Sequence, residues 1–134
     1  MAEPDDTPEN VSGLSRLQLD IMRVLWREGQ ATAGAVTAAL QASRGLAHTT
    51  VATLLTRLER RGVVASDRSG RQILYRAAVE ESAVRRSMVS DMLGALFGGD
   101  AQALVAHLVR EDEIAADDLA AVRELLARRK ADRS

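Results

Sequence analysis

A chain of 134 residues with no cysteine, only three aromatic residues (Trp26, Tyr75, Phe97) and apolar content drawn largely from alanine, valine and leucine is expected to form one small domain, or a small domain with an oligomerisation arm, in thin helical layers. Without cysteine, disulfides and thiolate metal sites are excluded. The start is acidic and polar with two prolines, which does not fit a secretory signal, and no stretch is apolar enough to span a bilayer, so a soluble cytoplasmic protein without membrane contact is expected.

The formal net charge of −1 hides a polarity along the chain. Residues 1–11 carry Glu3, Asp5, Asp6 and Glu9 and no base, and are read as a disordered acidic tail. Residues 12–77 set ten arginines against Asp20, Glu28, Glu59 and Asp67, a net of +6. Residues 78–134 set eight basic side chains against eleven acidic ones, a net of −3. A basic front and an acidic back suit a domain that touches nucleic acid joined to one that touches protein.

The first helix is expected over 12–29. Ser15 and Gln18 have the spacing of a capping box, Leu14 and Leu19 that of a hydrophobic staple, and Gly29 is placed to end the helix. Leu17, Ile21, Val24, Leu25 and Trp26 form its inward face, which makes Trp26 a core residue rather than a ligand-stacking one. A shorter helix over 31–41 is capped by Thr32 and buries Val36, Ala39 and Leu40. Ser43-Arg44-Gly45 then turns into the next helix, completing a helix-turn-helix.

The stretch from His48 to Gly62 is the one the rest is arranged to present. Val51, Leu54, Leu55 and Leu58 recur at i, i+3, i+4 and i+7 and must be buried. The opposite face carries Thr49, Thr53, Thr56 and Arg60, flanked by Thr50, Ala52 and Arg57. Threonine is a poor helix former and gains nothing from mere exposure, so a hydroxylated, basic, small-residue face fits a helix lying in a DNA major groove. Val63–Ser66 and Arg71–Arg76 then read as two strands around the turn Asp67-Arg68-Ser69-Gly70, the wing of a winged helix. His48, Thr49, Thr50, Thr53, Thr56, Arg57 and Arg60 are the candidate DNA contacts of the helix, and Arg68 and Arg71 the candidate phosphate contacts of the wing.

Beyond Val79 the pattern is helical and acidic. A helix over 80–97 repeats Val84, Met88, Met92 and Leu96 every fourth residue and stops at Gly98-Gly99. Asp100 caps a short helix with Leu104, Val105 and Leu108, and a last helix over 116–130 carries Leu119, Val122, Leu125 and Leu126. Three amphipathic helices without a fourth partner leave apolar surface that a second copy would cover, so a homodimer is expected. Its candidate interface is Val84, Met88, Met92, Leu96, Leu104, Leu108, Leu119, Val122 and Leu126. The expected fold is mainly α with a small β-hairpin. A winged helix-turn-helix domain over 12–77 would be followed by a helical dimerisation domain over 78–134.

From about Ser15 to Lys130 the chain resembles the penicillinase-repressor family of bacterial transcriptional regulators, which holds the β-lactamase, methicillin-resistance and copper-responsive repressors. The resemblance is carried by Leu14-Ser15 through Met22-Arg23-Val24-Leu25-Trp26, by Leu46-Ala47-His48-Thr49-Thr50-Val51 with Thr53-Leu54-Leu55-Thr56-Arg57-Leu58, and by Gly62 and Tyr75. Val79-Glu80-Glu81-Ser82 and Phe97-Gly98-Gly99 extend it. It implies a dimer that represses transcription from a palindromic operator in double-stranded DNA. In penicillin-responsive members it also implies a partner, a protease linked to a membrane sensor, that relieves repression by cutting the dimerisation domain. The matching bond here is His107-Leu108, where those members typically have Asn-Phe. The cysteine cluster of copper-responsive members is missing, which excludes metal sensing by that route, and no cofactor is implied. Ala52 replaces an arginine often found on the reading face, and Ala115 replaces a serine cap, which predicts fraying of the last helix by up to ~1 kcal/mol.

Two other classes compete. An enzyme needs a nucleophile-base pair or a metal constellation, and neither can be drawn from His48, His107 and scattered carboxylates, so the chain is read as no enzyme. A winged helix used only for protein contacts would expose leucine, phenylalanine or tyrosine on its third helix, where this chain has threonine and arginine.

Overall fold

The computed structural model describes residues 13–133; the acidic segment 1–11 lies outside the described residues. Six helices and one hairpin follow in the order α1 (Arg16–Glu28), α2 (Ala33–Arg44), α3 (His48–Arg60), β1 (Val64–Asp67), β2 (Leu74–Ala77), α4 (Glu81–Phe97), α5 (Ala101–Arg110) and α6 (Ala116–Arg133). The chain forms two compact units, the first ending at Val89 and the second beginning at Ser90, so the division falls inside α4.

In the first unit the termini of α1 follow from local chemistry. Ser15 Oγ accepts from the Gln18 N–H at 3.1 Å and Gln18 Oε1 accepts from the Ser15 N–H at 3.0 Å, the complete capping box expected from the sequence. Leu14 is buried and Leu19 packs against the same core, closing the staple. Gly29, at φ 82, turns the chain out of the helix, and its N–H returns to Leu25 O at 2.8 Å. Thr32 caps α2 through the Ala35 N–H at 3.0 Å. The second helix runs further than expected, through Ser43 and Arg44, with Gly45 as its left-handed cap. Arg44 earns that extra turn by pairing with Asp20 of α1 at 2.6 Å, a contact that ties the end of α2 to α1.

The core is one cluster in which Ile21, Met22, Val24 and Leu25 of α1 meet Val36 and Leu40 of α2 and Val51, Leu55 and Leu58 of α3. Val63, Val64 and Tyr75 close it from the hairpin side. The hairpin is antiparallel with Val64 opposite Ala77, Ala65 opposite Arg76, Ser66 opposite Tyr75 and Asp67 opposite Leu74. Both strands end one residue later than the sequence suggested, and β2 is shorter, because Arg71, Gln72 and Ile73 belong to the wing tip. A third, one-residue partner was not foreseen. Ala31 exchanges both backbone hydrogen bonds with Tyr75, at 2.9 and 2.8 Å, and so fastens the segment between α1 and α2 to the wing. Trp26 is half-buried against the core, and its Nε1–H donates to Val79 O at 2.9 Å.

In the second unit, α4 ends on Gly98 and Gly99, both at positive φ, and the Gly99 N–H returns to Leu93 O at 3.1 Å. Asp100 caps α5 through the Ala103 N–H at 3.2 Å, as the sequence indicated. The far end of α5 closes when the Glu113 N–H reaches Leu108 O at 2.9 Å, with Asp112 left-handed at φ 57. Ala115 has no side-chain oxygen to cap α6, but Asp118 Oδ2 accepts from the Ala115 N–H at 2.9 Å, so half of a capping box survives there. No single helix among the described residues is long and apolar enough to cross a membrane.

Candidate nucleic-acid interface

The buried stripe of α3 fixes which way its other face points. With Val51, Leu55 and Leu58 fully inside, His48, Thr49, Thr50, Thr53, Thr56, Arg57 and Arg60 all lie on the exposed side. Thr49, Thr50, Thr53, Leu54 and Arg57 line a shallow open groove along that face. The fold therefore brings all seven helix candidates together.

Hydrogen bonding on this face refines what the threonines can offer. Thr53 Oγ1–H donates to Thr49 O at 2.9 Å and Thr56 Oγ1–H donates to Ala52 O at 3.0 Å. Their protons are engaged by their own helix, which leaves lone pairs and methyl groups outward. Such a surface accepts from the amino groups of adenine or cytosine and packs on the thymine methyl, while donation to bases or phosphates falls to Thr49, Thr50 and the arginines. The guanidinium groups of Arg57 and Arg60 have no hydrogen-bond or ion-pair partner among the described residues.

The two wing arginines part company. Arg71 is exposed and, among the described residues, has no partner. Arg68 is held within the protein, its Nη1 and Nη2 donating to Glu59 Oε2 and Oε1 at 3.0 and 3.1 Å, with Ser66 bridging the same carboxylate. The guanidinium and hydroxyl donors stabilise the ionised carboxylate and lower the Glu59 carboxyl to about 2, while Glu59 pushes the Arg68 guanidinium upward. The expectation that Arg68 is an open phosphate contact is thus changed by a partner the sequence reading passed over. Glu59 was legible as the only carboxylate on α3. The turn itself is shaped by Asp67 Oδ1, which accepts from the Ser69 N–H at 2.9 Å and from the Ser69 hydroxyl at 2.6 Å, depressing the Asp67 carboxyl.

The candidate dimer residues divide as well. Val84 is 2 % exposed in the first unit's core and Met88 packs against that core, so both already have partners within the chain. Val84 is reassigned accordingly, from interface to core, because the first turns of α4 cover α1. Met92, Leu104, Leu108 and Leu119 are half-buried, whereas Leu96, Val122 and Leu126 are 71 %, 44 % and 60 % exposed. Val105 and Leu125, apolar in the sequence pattern but outside the candidate interface, share that exposure, as does Val109. His107 is exposed, and its ring lies 5.9 Å from that of Phe97. The His107-Leu108 bond is inside α5. Among the described residues no group of three or more histidines and carboxylates could hold a metal ion.

Comparison with known proteins places this geometry. The chain is 22% identical over 113 residues to the penicillinase repressor of Staphylococcus aureus, a match covering 84% of this chain and 90% of that one. It is 23% identical over 113 residues to the methicillin resistance regulatory protein MecI of Mammaliicoccus sciuri, covering 84% and 92%. Among solved structures, the complex structure of hsRosR-S4 superposes with a TM-score of 0.54 at 23% identity over 87% of this chain and 99% of that one, a shared fold. The DNA-binding domain of the repressor BlaI superposes with a TM-score of 0.48 at 24% identity, covering 59% of this chain and 92% of that domain. The family model for the penicillinase repressor matches residues 14–128, and the chain belongs to the penicillinase repressor family of winged-helix regulators.

Proposed function

We propose that this DNA-binding transcriptional repressor acts as a homodimer on a palindromic operator, with α3 in the major groove and Arg71 of the wing on the adjacent backbone. The carrying observation is the outer face of α3. It exposes four threonines with Arg57 and Arg60, its one carboxylate is already paired, and the one large apolar side chain lining its groove, Leu54, is half-buried. A protein-docking helix would show the opposite balance. Residues 12–77 carry the reading function in this scheme, and 78–134 the association of two copies.

Leu96, Val122, Leu125 and Leu126 support the dimer, since apolar side chains this exposed are stabilised by a second copy covering them. A twofold pair of α3 helices then reads two half-sites, which one helix alone cannot. Relief by cleavage at His107-Leu108 belongs to the same scheme and requires local opening of α5, because the bond lies within that helix. The reading assigns the protein no catalytic role and a cytoplasmic location.

Binding of the purified protein to DNA from its own promoter region, titrated against salt and competed with random duplex, tests the proposal. Specific binding with a steep salt slope and one dimer per palindrome is the expected result. Weak binding equal on every duplex, or unchanged affinity in a protein with both Arg57→Ala and Arg71→Ala, would defeat it.

A further inference from the structure

Any guanidinium on a DNA-facing surface attracts the backbone of every sequence alike. The wing tip brings two, Arg68 and Arg71, yet the fold leaves only Arg71 without a partner among the described residues. The reason lies in strand alternation. Val64 and Ser66 share the face of β1 that turns to the core, and Arg68, two positions on, continues that side past the end of the strand. There it meets Glu59 in the last turn of α3, and both its terminal nitrogens bond the carboxylate in a fork-on-fork pair. Ser66 Oγ donates to Glu59 and accepts from Arg68, so three side chains from α3, β1 and the wing tip close on one another.

We propose, on the basis of the DNA-binding reading, that Glu59 is a positioning residue for specificity. It holds Arg68 as an internal counter-ion, fastens the wing to the recognition helix, and leaves Arg71 as the wing's backbone contact. Were Arg68 to swing to a phosphate, Glu59 would face a polyanion unpaired, so the pair persists on the duplex. Keeping one guanidinium off the backbone subtracts sequence-independent attraction from every site equally, which raises the ratio of specific to random binding.

The test uses the full-length protein and a random-sequence duplex, with affinity read by fluorescence anisotropy across a salt series. Glu59→Gln releases Arg68 and is expected to steepen the slope of log K against log salt by about 0.9 per protomer and raise random-duplex affinity roughly five- to tenfold at ~0.1 M salt. Adding Arg68→Ala to Glu59→Gln removes both partners and should restore the wild-type slope, because neither a released guanidinium nor an unpaired carboxylate then remains. Arg71→Ala should flatten it by about 0.9 per protomer. A slope left unsteepened by Glu59→Gln, or one that falls below wild type in the Glu59→Gln, Arg68→Ala double variant as much as in Arg71→Ala, overturns the proposal. A second readout needs no DNA: in an NMR titration the Glu59 carboxyl should move from about 2 toward its ordinary 4.5 when Arg68 becomes alanine, and an unmoved midpoint also overturns it. Wild-type protein that binds no duplex while this titration behaves as expected would sink the DNA-binding reading itself, and an intact ion pair would show that the fault lies there.

Discussion

The two units of this chain are built from the same apolar residues and differ in where those residues end up. All fifteen buried hydrophobic side chains among the described residues, from Leu14 to Val84, belong to the first unit. From residue 90 to residue 133 none is buried, although α4, α5 and α6 carry leucine and valine throughout. A three-helix layer closed by a hairpin buries its apolar stripes, whereas α5 and α6 leave Val105, Val109, Val122, Leu125 and Leu126 exposed. The contrast teaches that patterning marks a residue for burial without saying whether its own chain will do the burying.

The sharpest way to break the contrast is to truncate one residue on each side. Leu55→Ala empties a fully enclosed site at the junction of α1, α2 and α3 and should cost about 2–5 kcal/mol in denaturant unfolding, at any protein concentration. Leu96→Asp with Leu126→Asp should instead convert dimer to monomer in sedimentation and abolish the dependence of the melting temperature on concentration. Persistent dimers in that double variant would mean that the second unit's exposed leucines are not the interface.

A smaller effect compares the two helix starts. Ser15→Ala removes half of a complete box and should lower the stability of the first unit by about 1 kcal/mol, while Ala115→Ser completes the half-box at α6 and should raise that of the second by up to ~1 kcal/mol. Equal and negligible effects would mean that neither end limits its helix.

The smallest effect is a matter of pH. The folded Glu59 carboxyl sits below its unfolded value, so its contribution is complete above 4.5 and disappears as the pH falls toward about 2. The stability gap between wild type and Glu59→Gln should accordingly be constant near neutrality and close across that window.

Most of the first unit was readable because its determinants are local. Ser15 with Gln18, Thr32, Gly29 and the spacing of Val51, Leu55 and Leu58 each declare their role within a few residues. What escaped depends on partners distant in sequence. The extra turn of α2 rests on Arg44 finding Asp20, and the Ala31 bridge rests on Tyr75, forty-four positions away. Neither leaves a periodic mark. The site was legible for the same reason and to the same limit: a helical wheel shows which face of α3 looks outward, but not that the Thr53 and Thr56 protons turn back to the helix or that Glu59 captures Arg68. Val84 was misassigned because the first turns of α4 continue the heptad-like stripe while serving a different core.

The hydrogen bond from Trp26 to Val79 gives the protein a built-in optical reporter. The chain has one tryptophan, so its intrinsic fluorescence comes from a single place, the seam where the backbone leaves the wing for α4. Light emitted there will track whether the reading half is still clasped to the start of the arm, without any label and in the same cuvette as a DNA titration.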